Sequence, residues 1–212
     1  MEGSRIKDVA GYTWQPPARI TTTLQPPTNS PMKRLFSLIV PALALALHGH
    51  AQTFTLKSSD VGGQATEQQV FNGFGCTGRN ISPQLSWENA PAGTKSFAIT
   101  MYDPDAPTGS GFWHWLVFDL PAGTMTLPSG AGTPGHTGLP AGAVQSTTDF
   151  GTIGYGGPCP PVGHGAHRYV VTVYALKTDK LGVDAQATPA LVGFNLNAQA
   201  LAKASILFYY GR

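Results

Sequence analysis

The chain has 212 residues, with 13 Lys and Arg against 11 Asp and Glu, a formal net charge of +2 and only 11% charged residues. That length suits one domain with a sizeable core, and a charged share below half the usual ~25% excludes a disordered polyelectrolyte. So small a positive balance offers no basic stripe for nucleic acid, and 26 Gly with 18 Pro suit a loop-rich, strand-built protein over a helix bundle.

Residues 1–51 read as an address segment rather than fold. Met32-Lys33-Arg34 supplies a start and two positive charges. Residues 35–47 form an apolar run broken only by Ser37 and Pro41, and Gly49 and Ala51 are the small residues a signal peptidase needs. Residues 32–51 are therefore a secretory signal peptide, with an apolar core too short to span a membrane as a helix. Residues 1–31, polar and without apolar period, read as an upstream misassigned or disordered segment, the alternative being a long n-region. Cleavage after Ala51 leaves residues 52–212 as a single periplasmic or secreted domain. It loses Arg5, Lys7, Arg19, Lys33, Arg34, Glu2 and Asp8, so 8 of the 13 basic and 9 of the 11 acidic residues remain, a net charge of −1.

Short β-type runs follow. Thr53-Phe54-Thr55-Leu56 alternates, residues 84–87 make a second brief strand, and residues 96–102 make a longer, more apolar one. Residues 113–120 and 168–176 are rich in aromatic and β-branched residues, as buried strands are. Gly and Pro clusters at 90–93, 121–123 and 154–161 separate these runs, and residues 127–145 read as a long Gly-rich loop. Thr188-Pro189 is a helix start, a cap residue followed by Pro at the first helical position. Ala202, Ala204, Ile206, Phe208 and Tyr210 then recur at period two, which predicts a closing strand. The elements add up to one mainly β, antiparallel domain. Cys76 and Cys159 are an even pair in an exported chain, which reads as a disulfide rather than a metal site or a nucleophile.

Three segments carry chemistry. In Asp103-Pro104-Asp105-Ala106-Pro107 the two Pro rings fix φ and reject a helix, so both acids sit on a stiff turn at a strand end. An Asx-type turn accounts for such a pair, and no third acidic ligand lies nearby to complete a metal site. In Gly111-Phe112-Trp113-His114-Trp115, strict alternation points His114 away from the face shared by Trp113 and Trp115. The third segment runs from Gly154 through Gly156, Gly157, Pro158, Cys159, Pro160 and Pro161 to His164, His167, Arg168 and Tyr169. Its Gly and Pro content predicts exposed amides in a rigid loop that could cradle an anion. At the following strand His167 and Tyr169 share one face while Arg168 takes the other. A tight loop, with His164 as an exposed passenger, is the bland alternative.

Two patterns are decoys. The segment 73–78 (GFGCTG) matches the dinucleotide fingerprint in letters but runs into Asn80-Ile81-Ser82-Pro83 instead of a helix. Asn80-Ile81-Ser82 is a glycosylation sequon with meaning only in a eukaryotic secretory pathway.

Taken together, DPDAP at 103–107, Trp-His-Trp at 113–115 and GGPCPP through His-Arg-Tyr at 156–169 resemble the phosphatidylethanolamine-binding protein (PEBP) family, in its bacterial Raf-kinase-inhibitor-like branch. Residues 78–83, Leu85, Trp87 and the terminal Tyr210-Gly211-Arg212 add to the match, which runs from about Phe54 to the end. The resemblance implies packed antiparallel sheets in Greek-key order with a few peripheral helices. It also implies a small anion pocket for phosphate, acetate or a phosphoethanolamine headgroup. Asp103, His114 and His167 would line that pocket, Pro161 and the backbone through Gly157, Pro158 and Cys159 would form its rim, and Tyr169 would stand beside His167. Asp105 would brace the loop, with Arg168 in a supporting place. No cofactor or metal is implied, and the partner is a small anion rather than nucleic acid. A homodimer stays open, and no protein partner is identified.

The expected function is therefore small-ligand binding without a catalytic residue. Two histidines near their charge midpoint would donate to an oxyanion, more strongly at mildly acid pH. One rival is a hydrolase pairing His167 with Cys159 or Asp103. Another is an interaction module that binds protein through residues 127–145.

Overall fold

The computed structural model describes residues 52–135 and 138–212; the signal peptide expected at 32–51 and the segment before it lie outside the described residues. In chain order the elements are β1 (Thr55–Lys57), β2 (Asn72–Gly73), β3 (Cys76–Thr77), β4 (Leu85–Glu88), β5 (Ser96–Asp103), β6 (Phe112–Pro121), β7 (Thr126–Leu127), β8 (Val144–Gln145), β9 (His167–Leu176), α1 (Pro189–Gln199) and β10 (Ala200–Tyr210). One antiparallel sheet has the order β10-β9-β5-β6-β8, a second has the order β1-β4-β7, and β2 with β3 forms a separate hairpin. After β5, β6 and β8, strand β9 returns to lie beside β5, which is the Greek-key order.

Both faces of the large sheet are covered. One packs on the smaller sheet through Leu85, Trp87, Phe97, Ile99, Trp115 and Val171, and the other meets α1 through Ala98, Leu116, Phe118, Val192 and Leu196. Burial on both sides explains why Phe97, Ala98 and Ile99 of β5 form a continuous apolar run instead of alternating. Each such large side chain contributes roughly 1.5–3 kcal/mol on leaving water. Strand β10 lies at the sheet's edge and keeps the period-two pattern expected of it. Helix α1 starts where Thr188-Pro189 predicts, with the Thr188 hydroxyl accepting from Leu191 N at 3.4 Å. It is the only α-helix among the described residues, where the resemblance implies a few. No helix among them is long and apolar enough to cross a membrane.

Strict alternation fails in β6, and the failure sets up the site. Met101 of β5 pairs with Trp115, but Tyr102 pairs with Trp113, so His114 is the extra residue of a β-bulge. The bulge breaks the expected parity. Trp113 packs on the helix side of the sheet, Trp115 lies in the main core, and His114 turns to the core side against Tyr169. The two tryptophans do not share a face.

The GFGCTG pattern is a hairpin, not a nucleotide loop: β2 and β3 pair Asn72 with Thr77 and Gly73 with Cys76. Cys76 and Cys159 are joined in a disulfide with Cα atoms 6.0 Å apart.

Candidate functional site

Because β5 is antiparallel to both β6 and β9, its C-terminal end lies beside the starts of both neighbours. That geometry brings Asp103 at the end of β5, His114 near the start of β6, and His167 with Tyr169 at the start of β9 to one cavity of about 230 Å³. Cys159, Pro160 and Pro161 line it from one loop, Ala106, Pro107 and Thr108 from the turn after β5, and the rings of Phe74, Phe112 and Phe150 complete the lining.

The imidazoles and Asp103 are each held by the backbone or by another side chain. His167 Nδ1 lies 2.8 Å from Asp103 Oδ2, with both side chains buried. The carboxylate accepts, so Nδ1 carries the proton and Nε2 is left on the opposite edge of the ring. Asp103 Oδ1 accepts from Asp105 N at 2.8 Å, an Asx-type turn. Each oxygen of Asp103 thus accepts one hydrogen bond within the protein, and the carboxylate orients the His167 ring from the cavity wall. Asp105 braces the turn from outside: its carboxylate accepts from Arg168 N (2.8 Å), Nε (2.9 Å) and Nη2 (2.6 Å). The hydrogen bonds from the Arg168 side chain hold the Asp105 carboxyl down at about 2.

His114 Nδ1 lies 2.8 Å from Gly156 O, a carbonyl that can only accept, so Nδ1 again carries the proton. Burial pushes this imidazole from 6.5 down to about 4. At neutral pH His114 is uncharged, and its Nε2 is an acceptor. The expectation that His114 donates to an anion and titrates near pH 6.5 is corrected by its burial. Tyr169 is fully buried, packed edge-on against His114, and its hydroxyl has no partner within the protein. Burial raises the affinity of that hydroxyl for its proton, so it remains a donor.

A buried neutral histidine has a stability consequence. The unfolded chain takes up this proton at about 6.5 and the folded chain only at about 4, so the unfolded state binds more protons in between. Stability is full above that window and falls as pH drops through it, by about 2 kcal/mol at pH 5. We expect His114→Gln to remove most of this acid-dependent loss. Urea midpoints at pH 7.5 and 5 for both proteins check it; an equal drop in each contradicts it.

Two amides of the Gly-Pro loop, expected to be free to cradle an anion, are engaged within the fold. Gly156 N donates to His114 O and Gly157 N to Asn80 Oδ1, while Pro158, Pro160 and Pro161 carry no N–H. Gly157 and Pro158, expected on the rim, do not line the cavity; of the expected rim, Cys159 and Pro161 do. Instead they lie against the segment at 69–71, where Phe71 N donates to Pro158 O at 3.0 Å. Asn80, part of the 78–83 match but given no role there, ties this packing together by accepting from Gly157 N and donating to Tyr155 O at 3.2 Å. That side chain is occupied inside the fold. Cys159 is in the disulfide, which removes the His167–Cys159 dyad. His164 is exposed, with its ring 5.8 Å from His167. Sequence reasoning missed Phe74 and Phe150 as wall residues, since single aromatics in loops carry no periodic signal.

Known proteins agree with this architecture. A family model described as phosphatidylethanolamine-binding protein matches residues 61–211. The chain is 49% identical over 181 residues to UPF0098 protein YbcL of Escherichia coli (strain K12), covering 84% of this chain and 98% of that one. It is 53% identical over 145 residues to UPF0098 protein YbhB of the same organism, covering 68% and 90%. The crystal structure of E. coli YbcL, described as a new member of the mammalian PEBP family, superposes with a TM-score of 0.73 at 52% identity, over 75% of this chain and 98% of that one. With the family model covering every strand but β1 and every polar residue of the cavity, the chain belongs to the phosphatidylethanolamine-binding protein family.

Proposed function

We propose that the protein is an exported binding protein for phosphate-type anions that carry a proton, taken free or as the headgroup of a phosphomonoester. The observation that carries this reading is the Tyr169 hydroxyl, buried without a partner in a cavity where two imidazoles already have Nδ1 engaged. Tyr169 donates to one oxygen of the ligand, and His167, its ring held at Nδ1 by Asp103, presents Nε2 to another. Neutral His114 accepts from the P–OH group. Sulfate has no such proton at neutral pH and leaves His114 Nε2 facing an oxygen it cannot bond. Export is supported by the apolar run at 35–47 and by the Cys76–Cys159 disulfide, which suits an oxidising compartment.

This reading keeps a gain in affinity at mildly acid pH but changes its source. His114 stays neutral down to about 4 and contributes no charge there. A phosphomonoester, however, regains its proton near pH 6 and then satisfies His114. Calorimetric titration of phosphate, phosphoethanolamine and sulfate tests this. Phosphate binds more tightly than sulfate, and His167→Ala weakens phosphate by about tenfold or more, as expected for a hydrogen bond to a charged group. Equal binding of phosphate by wild type and His167→Ala, or equal binding of phosphate and sulfate, overturns it. Phosphoester turnover that disappears in His167→Ala favours instead an acid–base role for the His167–Asp103 pair.

A further inference from the structure

We propose that His164 and His167 form a binding site for a divalent transition-metal ion, with Cu²⁺ as the ion that fits and Asp103 as the carboxylate behind it. The inference does not rest on the anion reading, although both use Nε2 of His167.

His167 already has the surroundings of a ligand. Metal-bound histidines as a rule give their second ring N–H to a carboxylate or a carbonyl, which fixes the tautomer and turns the lone pair to the ion. Here Nδ1 donates to Asp103 Oδ2 at 2.8 Å with both side chains buried, and Nε2 makes no hydrogen bond among the described residues. Asp103 is held in turn by Asp105 N, which donates to its other oxygen at 2.8 Å.

His164 supplies the second nitrogen. The anion site does not account for it: the residue is exposed, does not line the cavity, and its ring nitrogens make no hydrogen bond among the described residues. Its ring nonetheless lies 5.8 Å from that of His167, with the planes 32° apart. A metal–nitrogen bond of about 2.0 Å, with about 1.1 Å more to the ring centre, lets one ion join rings whose centres are up to about 6.2 Å apart. The observed spacing falls inside that reach, and an exposed side chain can turn its nitrogen to the ion.

The backbone keeps His164 in place. Gly163 and Gly165 on either side have φ of 82° and 81°, the left-handed region that turns the chain sharply and favours glycine. Arg212 ties the hairpin wall of the cavity, at Phe74 O and Gly75 O, to the proline wall at Pro160 O, and its carbonyl also accepts from Gly163 N at 3.1 Å. A Cβ on Gly211 would lie 2.7 Å from Gly165 O, so the other end of the loop is closely packed as well. A loop pinned at both ends lowers the ordering cost of bringing two imidazoles to one ion.

Donor chemistry chooses the ion. Both cysteines are in the disulfide, so no thiolate is offered, and the oxidising compartment that this bond suits keeps copper divalent. Cu²⁺ binds nitrogen and oxygen donors more tightly than other divalent first-row ions, whereas Mg²⁺ and Ca²⁺ need several oxygens. Among the described residues no group of three His, Cys, Asp or Glu could hold an ion, so water completes the coordination and the site stays open.

The test is Cu²⁺ titration of the untagged protein at pH 7.5 in a non-coordinating buffer, read by calorimetry and electron paramagnetic resonance, on wild type, His164→Ala, His167→Ala and Asp103→Asn. Wild type binds one ion tightly, and its spectrum carries hyperfine splitting from two imidazole nitrogens. Each histidine variant weakens this binding by about tenfold or more and leaves splitting from at most one nitrogen. Asp103→Asn keeps both nitrogens but weakens binding by about 10–100-fold, as loss of an outer-shell partner does. His164→Ala, a surface change, keeps the wild-type melting temperature and, in metal-free protein, the wild-type affinity for phosphate. Cu²⁺ binding undiminished in His164→Ala, or splitting from a single nitrogen in wild type, overturns the site. Binding undiminished in Asp103→Asn overturns the part given to the carboxylate. Absence of phosphate binding with Cu²⁺ uptake intact overturns the anion reading alone.

Discussion

Replacing Gly157 with alanine is expected to destabilise the fold by about 3–5 kcal/mol, the upper range for a single substitution. A Cβ at this position would lie 1.9 Å from Gln69 O and 2.7 Å from Phe71 N, both backbone atoms that no side-chain rotation can clear. Separating the strands of chain would break two hydrogen bonds at once, Gly157 N to Asn80 Oδ1 and Phe71 N to Pro158 O. The melting temperature should fall by on the order of 10 °C. A fall of less than about 3 °C would show that the loop at 156–161 can move away from the segment at 69–71 without loss.

Cys76→Ser is expected to have an effect of similar size. The bond closes a loop with a sequence separation of 83 residues. On the chain-entropy model such a closure stabilises the fold by about 4.5 kcal/mol, and measured effects span about 2–5 kcal/mol. Arg212 still bridges the same walls in the variant, through Phe74 O, Gly75 O and Pro160 O, so the native geometry of the hairpin persists while stability drops. Urea unfolding with and without reductant checks this. Wild type under reducing conditions should match Cys76→Ser, and an unchanged midpoint in the variant contradicts the loop-closure origin.

Where a residue's structural fate depends on its neighbours in sequence, it was legible. The apolar runs at 96–102, 113–120 and 168–176 become β5, β6 and β9 because their side chains fill both faces of one sheet. The cap at Thr188 and the alternation after it place α1 and β10. The pairing of Cys76 with Cys159 was legible because they are the two cysteines of the chain. Asp103, His114, His167, Tyr169 and Pro161 were grouped by resemblance, and the antiparallel ends of β5, β6 and β9 bring them to one cavity.

What escaped depends on contacts distant in sequence. The β-bulge at His114 arises from the register of β6 against β5, so alternation within 113–115 could not reveal that Trp113 and Trp115 diverge. The amides at 156 and 157 appeared free because their acceptors, His114 O and Asn80 Oδ1, come from elsewhere in the chain. The hairpin at 72–77 was hidden because its turn carries Phe where Asn or Asp is usual. The charge state of His114 was misjudged because burial, which sequence does not display, outweighs its ordinary affinity for a proton.

The nitrogen resonances of the two imidazoles, followed during phosphate titration at pH 6, test the binding site most directly. Before ligand is added, His114 should be a neutral Nδ1–H tautomer, as its contact with Gly156 O requires. On titration, Nε2 of both His114 and His167 should shift saturably with phosphate, and Nε2 of His114 should stay in place with sulfate. Nε2 resonances that remain unmoved on both rings at saturating phosphate would contradict an anion site at the ends of β5, β6 and β9.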